Sequence, residues 1–227
     1  MVVLNHDVRD GTEELCLRHG ARVFREPWKG HIAQKNSAAQ KATQPWILGI
    51  DADEAVTPEL RDEIAATLER ETKSPQHVAF SFPRLCFYCG RWIRHGEWYP
   101  DRGLRLWRKG KAEWGGVDPH DKLQVHGAIG KLHRDLLHYP MDSINHQIVK
   151  TVKYADTFVE ESMKQHRTIT AFDLLVRPIW RFLRGYVFRL GFLDGWQGFT
   201  IAWLTAFYTF LRYVRVREAQ LPKQPPE

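Results

Sequence analysis

The apolar and polar positions of the first seventy residues alternate in the manner of an α/β protein. Short apolar-rich runs predict β-strands at residues 2–4, 21–24 and 46–50. Amphipathic or Ala-rich stretches predict helices at residues 12–19, 32–42 and 57–68. Because the run 46–50 is apolar throughout, we expect it to form a strand that is covered on both faces in a parallel sheet.

The pattern changes twice further along the chain. Between residues 76 and 140, runs rich in Val, Phe, Tyr and Trp are broken by Gly and Pro, which predicts mixed sheet with long loops. From about residue 142 the pattern is helical, and the Pro-rich end is typical of disorder. We therefore predict an α/β domain over 1–140, a helical region over 141–218 and a disordered tail over 219–227.

Composition places the chain among globular proteins and locates its charge. Its 227 residues are 43% hydrophobic and 26% charged, which excludes a disordered or fibrous protein. The net charge of +6 lies within residues 165–217, where eight Arg accompany two Asp and no Lys. Basic and aromatic residues together can indicate an RNA-binding module. Here the Arg residues adjoin long apolar runs, which favours a membrane surface over nucleic acid.

The cysteine pattern bears on compartment and metal binding. Cys86 and Cys89 have the spacing of a metal or redox site, but no second pair follows them. We therefore favour two free, buried thiols over a metal site. No signal peptide opens the sequence, so we expect a cytoplasmic protein.

Two carboxylates follow the apolar run that ends at residue 50. Open α/β sheets bind ligands at the carboxyl ends of their strands, where Asp51 and Asp53 would lie. Two neighbouring carboxylates repel unless a cation compensates, and hard oxygen ligands suit Mg²⁺ or Mn²⁺ on a diphosphate. The alternative is that they only cap the helix beginning near Pro58.

Several segments together resemble glycosyltransferase family 2, and most closely the bacterial lipopolysaccharide-core enzymes of the β-glucosyltransferase type. Asp10-Gly11-Thr12 resembles the end of that family's nucleotide segment. The other matching segments are residues 26–36, 46–60, 95–101, 104–107 and 191–195. The likeness covers nearly the whole chain.

The resemblance implies a GT-A fold, with a mixed, mainly parallel sheet flanked by helices. The Arg/aromatic composition of residues 165–217 adds the prediction that the C-terminal helical extension associates with a membrane. The resemblance further implies an inverting enzyme that moves a hexose from a nucleotide-sugar donor to a lipopolysaccharide-core or other glycolipid acceptor, assisted by Mg²⁺ or Mn²⁺. The family's opening strand has no counterpart here. Either the true start lies upstream, or the chain is a non-catalytic, GT-A-like membrane-binding or partner-binding protein.

The resemblance also implies which residues bind the donor. Asp51 would contact the nucleotide and Asp53 the metal ion. The remaining nucleotide-sugar residues would be Asn5, Asp7, Asp10, Lys35 and Asn36. Asn5 stands where the family has its first Asp, and Asp7 is a displaced substitute. For Lys35 and Asn36, a solvated helix face is the alternative.

An inverting transfer needs a carboxylate that takes the proton of the acceptor hydroxyl. Pro119-His120-Asp121 resembles the family's Val-His-Glu, which makes Asp121 the first candidate for the base and Asp101 the second. The acceptor would be held by Trp98, Tyr99, Arg105 and His120. Alternatively, the two acids are turn residues, the two aromatics belong to the core, and Arg105 lies on a solvated strand face.

The C-terminal Arg/aromatic segment predicts membrane association. Arg177, Arg181 and Arg184 share one side of a predicted helix. The uncharged run 195–211 would reach about 25 Å as a helix, short of a hydrocarbon core of about 30 Å. We expect an interfacial helix on the inner face of the bacterial cytoplasmic membrane, with Trp196, Trp203 and Arg212 at the lipid surface. A full span and packing against the α/β domain are the alternatives.

Overall fold

A computed structural model describes residues 2–5, 7, 9–117, 120–141 and 143–221, with side chains from residue 7 onward except at residues 117 and 120. The strands are β1 (Val2–Asn5), β2 (Arg22–Arg25), β3 (Trp46–Leu48), β4 (Glu54–Val56), β5 (Ala79–Tyr88), β6 (Arg91–Ile93), β7 (Asp101–Arg108), β8 (Ala112–Val117), β9 (His120–Val125), β10 (Ile129–Lys131) and β11 (Leu136–His138). The helices are α1 (Thr12–Arg18), α2 (His31–Lys41), α3 (Pro58–Lys73), α4 (Ile144–Lys164), α5 (Ala171–Leu183) and α6 (Gly195–Ala219).

These elements form two compact units that are interleaved along the chain. The first unit contains the N-terminal residues up to Ala52, Val56–Pro83 and Arg102–Asp135. The second unit contains Asp53–Ala55, Arg84–Asp101 and the residues from Leu136 onward. The domain boundary predicted at residue 140 stays a prediction, and residues 222–227 of the predicted tail lie outside the described residues.

The first unit has parallel and antiparallel strand pairs around an aromatic core. β1 pairs with β2, and β10 with the start of β5, in parallel; β3 with β7 and β8 with β9 are antiparallel. Ala79, Trp107, Trp114 and Leu123 are the buried centre of the core, against which Ile32 of α2 packs. The predicted mixed sheet flanked by helices is therefore confirmed.

One strand prediction is wrong. Residues 46–50 were expected to form a strand covered on both faces in a parallel sheet, whereas β3 pairs antiparallel with β7 and ends its sheet. Leu48 and Ile50 are 37% and 46% exposed. Side-chain packing accounts for Trp46 in this apolar run: its ring contacts Phe80 and lies beneath the Arg108 guanidinium at 4.7 Å. An apolar run alone does not determine strand direction or burial.

The second unit contains the C-terminal helices. Ser143 caps α4 by accepting a hydrogen bond from the His146 amide, and Thr170 and Asp173 form a reciprocal capping box on α5. α6 packs against both α4 and α5, and Ile169, Tyr213 and Val216 form one buried cluster. The predicted helices are confirmed. No helix in the described ranges has both the length and the apolarity needed to cross a bilayer.

Candidate active site

Four charged side chains converge in the first unit and form what we call the Lys35 cluster: Lys35, Asp51, Arg105 and Asp121. The Lys35 ammonium lies 2.9 Å from Asp51 Oδ1 and 2.8 Å from Asp121 Oδ2. The Arg105 guanidinium lies 2.6 Å from Asp51 Oδ2. Two cations thus balance two carboxylates, and Lys35 links the residue predicted to contact the nucleotide to the predicted base.

Three regular elements and one loop position this cluster. Lys35 comes from α2, Arg105 from β7, Asp121 from β9, and Asp51 from the loop after β3. Residues so far apart in sequence meet because β8 and β9 pair antiparallel, with Gly116 opposite Asp121. The long polar side chains of α2 can then reach the end of the hairpin.

Asn36 fixes α2 to strand β8. Its amide nitrogen donates to the Trp114 carbonyl at 2.8 Å, and its amide oxygen accepts from the Trp114 amide at the same distance. The Trp114 ring faces the Lys35 ammonium at 4.5 Å. Neither Lys35 nor Asn36 lies on a solvated helix face. Asn36 contacts backbone and so positions Trp114, while a direct role in nucleotide binding stays a prediction.

The cluster keeps Asp51 ionised. Burial alone would raise the pKa of the Asp51 carboxyl, but the charge of Arg105 and the hydrogen bond and charge of Lys35 outweigh it and lower this pKa below its ordinary value. The Arg105 side chain is 8% exposed, so its location is not a solvated strand face. Arg105 contacts Asp51 and Trp114 of its own unit, and the predicted acceptor contact stays a prediction.

Asp121 lies within β9 rather than in a turn. Its carboxylate is 13% exposed and accepts a hydrogen bond from Lys35. His120 also lies in β9, although its side chain is outside the described residues.

The N-terminal residues predicted to bind the nucleotide-sugar donor are not members of the Lys35 cluster. Asn5 ends β1, and its side chain lies outside the described residues. Asp7 is exposed, with a left-handed backbone conformation. The Asp10 carboxylate accepts hydrogen bonds from the backbone and side chain of Thr12, which lower its pKa. Nucleotide binding by these three residues stays a prediction.

Asp53, the predicted metal ligand, belongs to the second unit. Its carboxylate is 43% exposed and lies 3.4 Å from His138 Nε2, while His138 Nδ1 lies 3.5 Å from the Cys86 sulfur. Burial raises the pKa of the Cys86 thiol to about 12, so the thiol without a bound metal is protonated at neutral pH. Cys86 and Cys89 are both free, and Cys86 is the buried one.

The surroundings of Asp53 fit the Mg²⁺ or Mn²⁺ ion that the family resemblance implies. Within the ranges described, no group of three or more His, Cys, Asp or Glu could hold a metal by itself. Mg²⁺, however, is commonly held by one or two carboxylates plus substrate phosphates, which an exposed Asp53 fits. The capping alternative for the two acids is not supported, because Thr57 caps α3 by accepting from the Leu60 amide.

A cavity of about 410 Å³ lies within the second unit. Trp98 and Asp101 line it, together with the unpredicted residues His138, Lys150, Tyr154 and Tyr208. Asp101 forms an ion pair with Arg84, whose guanidinium also lies 3.3 Å from Glu54. Trp98 additionally packs edge-on against Tyr88, so it serves both core and cavity. Tyr99 is half-buried and does not line the cavity.

The sequence did not reveal that Glu97 pairs with several arginines of the C-terminal region. Its carboxylate, 8% exposed, lies 3.3 Å from both Arg181 and Arg184 and 3.8 Å from Arg189. Arg181 and Arg184 had been predicted to meet lipid. Glu97 lies in the matching segment 95–101, but no local pattern identifies partners more than eighty residues away.

The other predicted membrane residues divide into inward-facing and exposed ones. Arg212 lies over the rings of Phe158 and Tyr213 at 4.6 and 4.8 Å, so the expectation that it meets lipid is not supported. Arg177 lies 2.6 Å from Asp173. Trp196 and Trp203 are well exposed, as the interfacial helix requires.

Comparison with known proteins agrees with this α/β fold. The model of the family "Glycosyl transferase family 2" matches residues 1–126, and the chain belongs to that family. The protein is therefore a glycosyltransferase, an enzyme that takes a sugar from a nucleotide-sugar donor and passes it to an acceptor. The resemblance identified in the sequence is confirmed.

Relatives that match nearly the whole of this chain are also named glycosyltransferases. The chain is 28% identical to an uncharacterized glycosyltransferase of Rickettsia typhi, over 97% of this chain and 78% of that one. It is also 28% identical to one from Rickettsia prowazekii, over 99% and 80%. The lipopolysaccharide core biosynthesis glycosyltransferase LpsC of Rhizobium meliloti is 28% identical, over 100% of this chain and 85% of its own.

Proposed function

We propose that the protein is an inverting hexosyltransferase that acts on a lipopolysaccharide-core or other glycolipid acceptor at the inner face of the cytoplasmic membrane. The Lys35 cluster is the observation that carries this proposal, because it joins a donor-side and a base-side carboxylate through one ammonium. The likeness to LpsC over the full chain supports the choice of acceptor class.

In the proposed reaction Asp121 is the catalytic base. Its carboxylate takes the proton of an acceptor hydroxyl while that oxygen forms a bond to the anomeric carbon of the donor. The bond from the anomeric carbon to the diphosphate breaks on the opposite face, and the nucleoside diphosphate leaves with the electron pair. Lys35 orients the Asp121 carboxylate and, with Arg105, supplies positive charge near Asp51.

A divalent ion, Mg²⁺ or Mn²⁺, is part of the proposal. Asp53 would hold it through its exposed carboxylate, and His138 at 3.4 Å would limit the orientation of that side chain. When bound, the ion would neutralise charge on the departing diphosphate.

We assign the acceptor sugar to the cavity of the second unit. Its volume of about 410 Å³ lies in the range of small-molecule sites. The ring of Trp98 can cover the apolar C–H face of a pyranose, while Asp101 can accept hydrogen bonds from sugar hydroxyls. Asp101 is held in place by Arg84, which suits a positioning role better than proton transfer.

A donor screen tests the proposed reaction. Purified protein is incubated with a panel of nucleotide-diphosphate hexoses, with and without a glycolipid acceptor, and with Mg²⁺, Mn²⁺ or a chelator, and release of nucleoside diphosphate is measured. We expect turnover of one donor that requires the ion, and a glycolipid product with inverted anomeric configuration by NMR. Retention of configuration would contradict the base role of Asp121, and turnover in chelator would contradict the metal role of Asp53.

A further inference from the structure

Helix α5 presents an apolar stripe to the exterior of the second unit. The stripe recurs at intervals of three and four residues, which is the spacing of one helix face. Its members are between 39% and 63% exposed: Phe172, Leu175, Val176, Ile179, Trp180 and Leu183. A helix of a water-soluble domain ordinarily turns such a face toward the core.

Helix α6 continues this surface. Trp196, Phe199, Trp203, Phe207 and Phe210 are between 42% and 59% exposed and recur at the same helical spacing. The Phe182 ring connects the helices, with its centroid 5.8 Å from that of Phe199 and 6.1 Å from that of Trp203. We call the exposed residues of both stripes the apolar surface.

Arg177 and Arg181 lie on the other side of α5, and they and Arg184, the residue after this helix, have partners within the unit. Arg181 and Arg184 meet the Glu97 carboxylate, and Arg177 meets Asp173. Their side chains nonetheless remain 38–47% exposed. The amphipathic arrangement is thus inverted, with apolar groups outward and guanidiniums toward the protein.

We propose that the apolar surface inserts into the interfacial region of an anionic lipid bilayer. Exposed apolar surface of this extent marks an interaction site. Charge complementarity selects the occupant: the eight Arg of residues 165–217 exceed the two Asp of this segment and the paired acids Glu97 and Asp156 by four charges, so a second copy would bring like charges together, whereas anionic headgroups attract them. Insertion of the apolar stripes supplies most of the binding, and the partly exposed arginines supply the preference for anionic lipid.

This docking deepens the proposed function, on which its biological purpose rests, by placing the acceptor cavity near the lipid. Leu204, Thr205 and Tyr208 of α6 line the cavity, while Trp203 and Phe207 of the same helix belong to the apolar surface. A helix with its side chains is about 10–12 Å across. The cavity therefore accepts a sugar close to its lipid anchor.

Vesicle sedimentation tests the docking without any sugar transfer. The double variant Ile179→Ser/Trp203→Ser removes one exposed side chain from each stripe, and Ile129→Ser/Trp28→Ser removes the same residue types from exposed positions of the first unit. With vesicles of equal parts phosphatidylcholine and phosphatidylglycerol, we expect wild type and the control to bind alike. The stripe variant should bind at least about tenfold more weakly.

The dependence of vesicle binding on salt and the oligomeric state of the protein distinguish apolar insertion from purely electrostatic binding and from dimerisation. Raising NaCl from about 0.1 M to about 0.5 M should reduce wild-type binding less than the stripe substitutions do, because salt screens charges but not apolar insertion. Complete release by salt, unchanged binding of the stripe variant, or a wild-type dimer that this variant dissociates in sedimentation velocity would overturn the proposal. Matching thermal unfolding of both variants would show that folding is intact.

Donor hydrolysis separates this proposal from the proposed reaction. The stripe variant should hydrolyse the donor identified in the screen at the wild-type rate in the absence of vesicles, because its substitutions lie outside the Lys35 cluster. Normal hydrolysis with unchanged vesicle binding would refute the docking alone. Normal docking without turnover of any donor would refute the reaction alone.

Discussion

Lys35 is the residue on which the candidate active site depends most directly. Its ammonium is shared by two carboxylates that come from different elements, and its position over the Trp114 ring limits its movement. Without that charge, Asp51 would keep its ion pair with Arg105, whereas Asp121 would lose the ammonium that donates a hydrogen bond to its carboxylate. Removing the Lys35 charge should therefore disturb the Asp121 carboxylate more than the Asp51 carboxylate.

Replacing Lys35 by methionine tests this arrangement. Lys35→Met keeps a similar length but removes the charge, so we expect sugar transfer to fall by about 10²-fold or more and stability to fall by roughly 1–2 kcal/mol. The measurements are transfer rates and urea unfolding. Lys29→Met, at an exposed lysine of the preceding loop, is the control and should change neither. Wild-type transfer by Lys35→Met would contradict the role of the cluster.

Asp51 gives the site a specific dependence of stability on pH. Its folded-state pKa is lowered, so its contribution to stability is complete above the unfolded pKa of about 3.9 and is lost as pH falls through the folded pKa. Asp51→Asn should therefore be less stable than wild type at neutral pH, and the difference should shrink in acid below pH of about 4. Urea unfolding at both pH values measures this, and a constant difference would refute it.

At the scale of elements, the Asn36–Trp114 contact is what holds α2 against the β8–β9 hairpin near the cluster. Both hydrogen bonds are 2.8 Å long and engage the backbone of a buried residue. Their loss would leave the amide and carbonyl of Trp114 unsatisfied beneath Lys35. The position of the catalytic groups is therefore coupled to the stability of this junction.

Asn36→Ala should destabilise the protein by about 1–3 kcal/mol, because it leaves a buried amide and carbonyl without partners. Urea unfolding measures the change. Asn145→Ala, on the exposed side of α4, is the matched control and should change stability by less than about 0.5 kcal/mol. Equal stabilities of the two variants would show that Asn36 does not hold the junction.

The sequence predicted features that depend on neighbouring residues, but not those that depend on contacts between residues far apart in the chain. Thr57 before Pro58 predicted the start of α3, and helical periodicity predicted that Arg177, Arg181 and Arg184 share one side of a helix, of which α5 contains the first two. It could not tell which side faces outward, because that depends on Glu97, far away in sequence. The direction and coverage of β3 were mispredicted for the same reason, since its partner β7 lies more than fifty residues later.

At the scale of the whole molecule, the proposed catalytic cluster and the proposed membrane-binding surface lie in different parts of the chain. The family match ends at residue 126, and the Lys35 cluster lies entirely before that residue. The apolar surface and the excess positive charge lie after residue 165. Family resemblance therefore predicted Asp51 and Asp121, while no motif predicted that the arginines of the C-terminal helices have partners within the protein.

The most direct test of the central claim is transfer of a labelled hexose to glycolipid in anionic vesicles by wild type, Asp121→Asn and Asp62→Asn. Asp121→Asn keeps the shape and much of the polarity of the side chain but removes the proton acceptor, whereas Asp62 is an exposed acid of α3. We predict that Asp121→Asn loses about 10²–10⁴-fold in rate while it still unfolds cooperatively on heating, and that Asp62→Asn matches wild type in both measurements. A wild-type rate for Asp121→Asn would contradict the account.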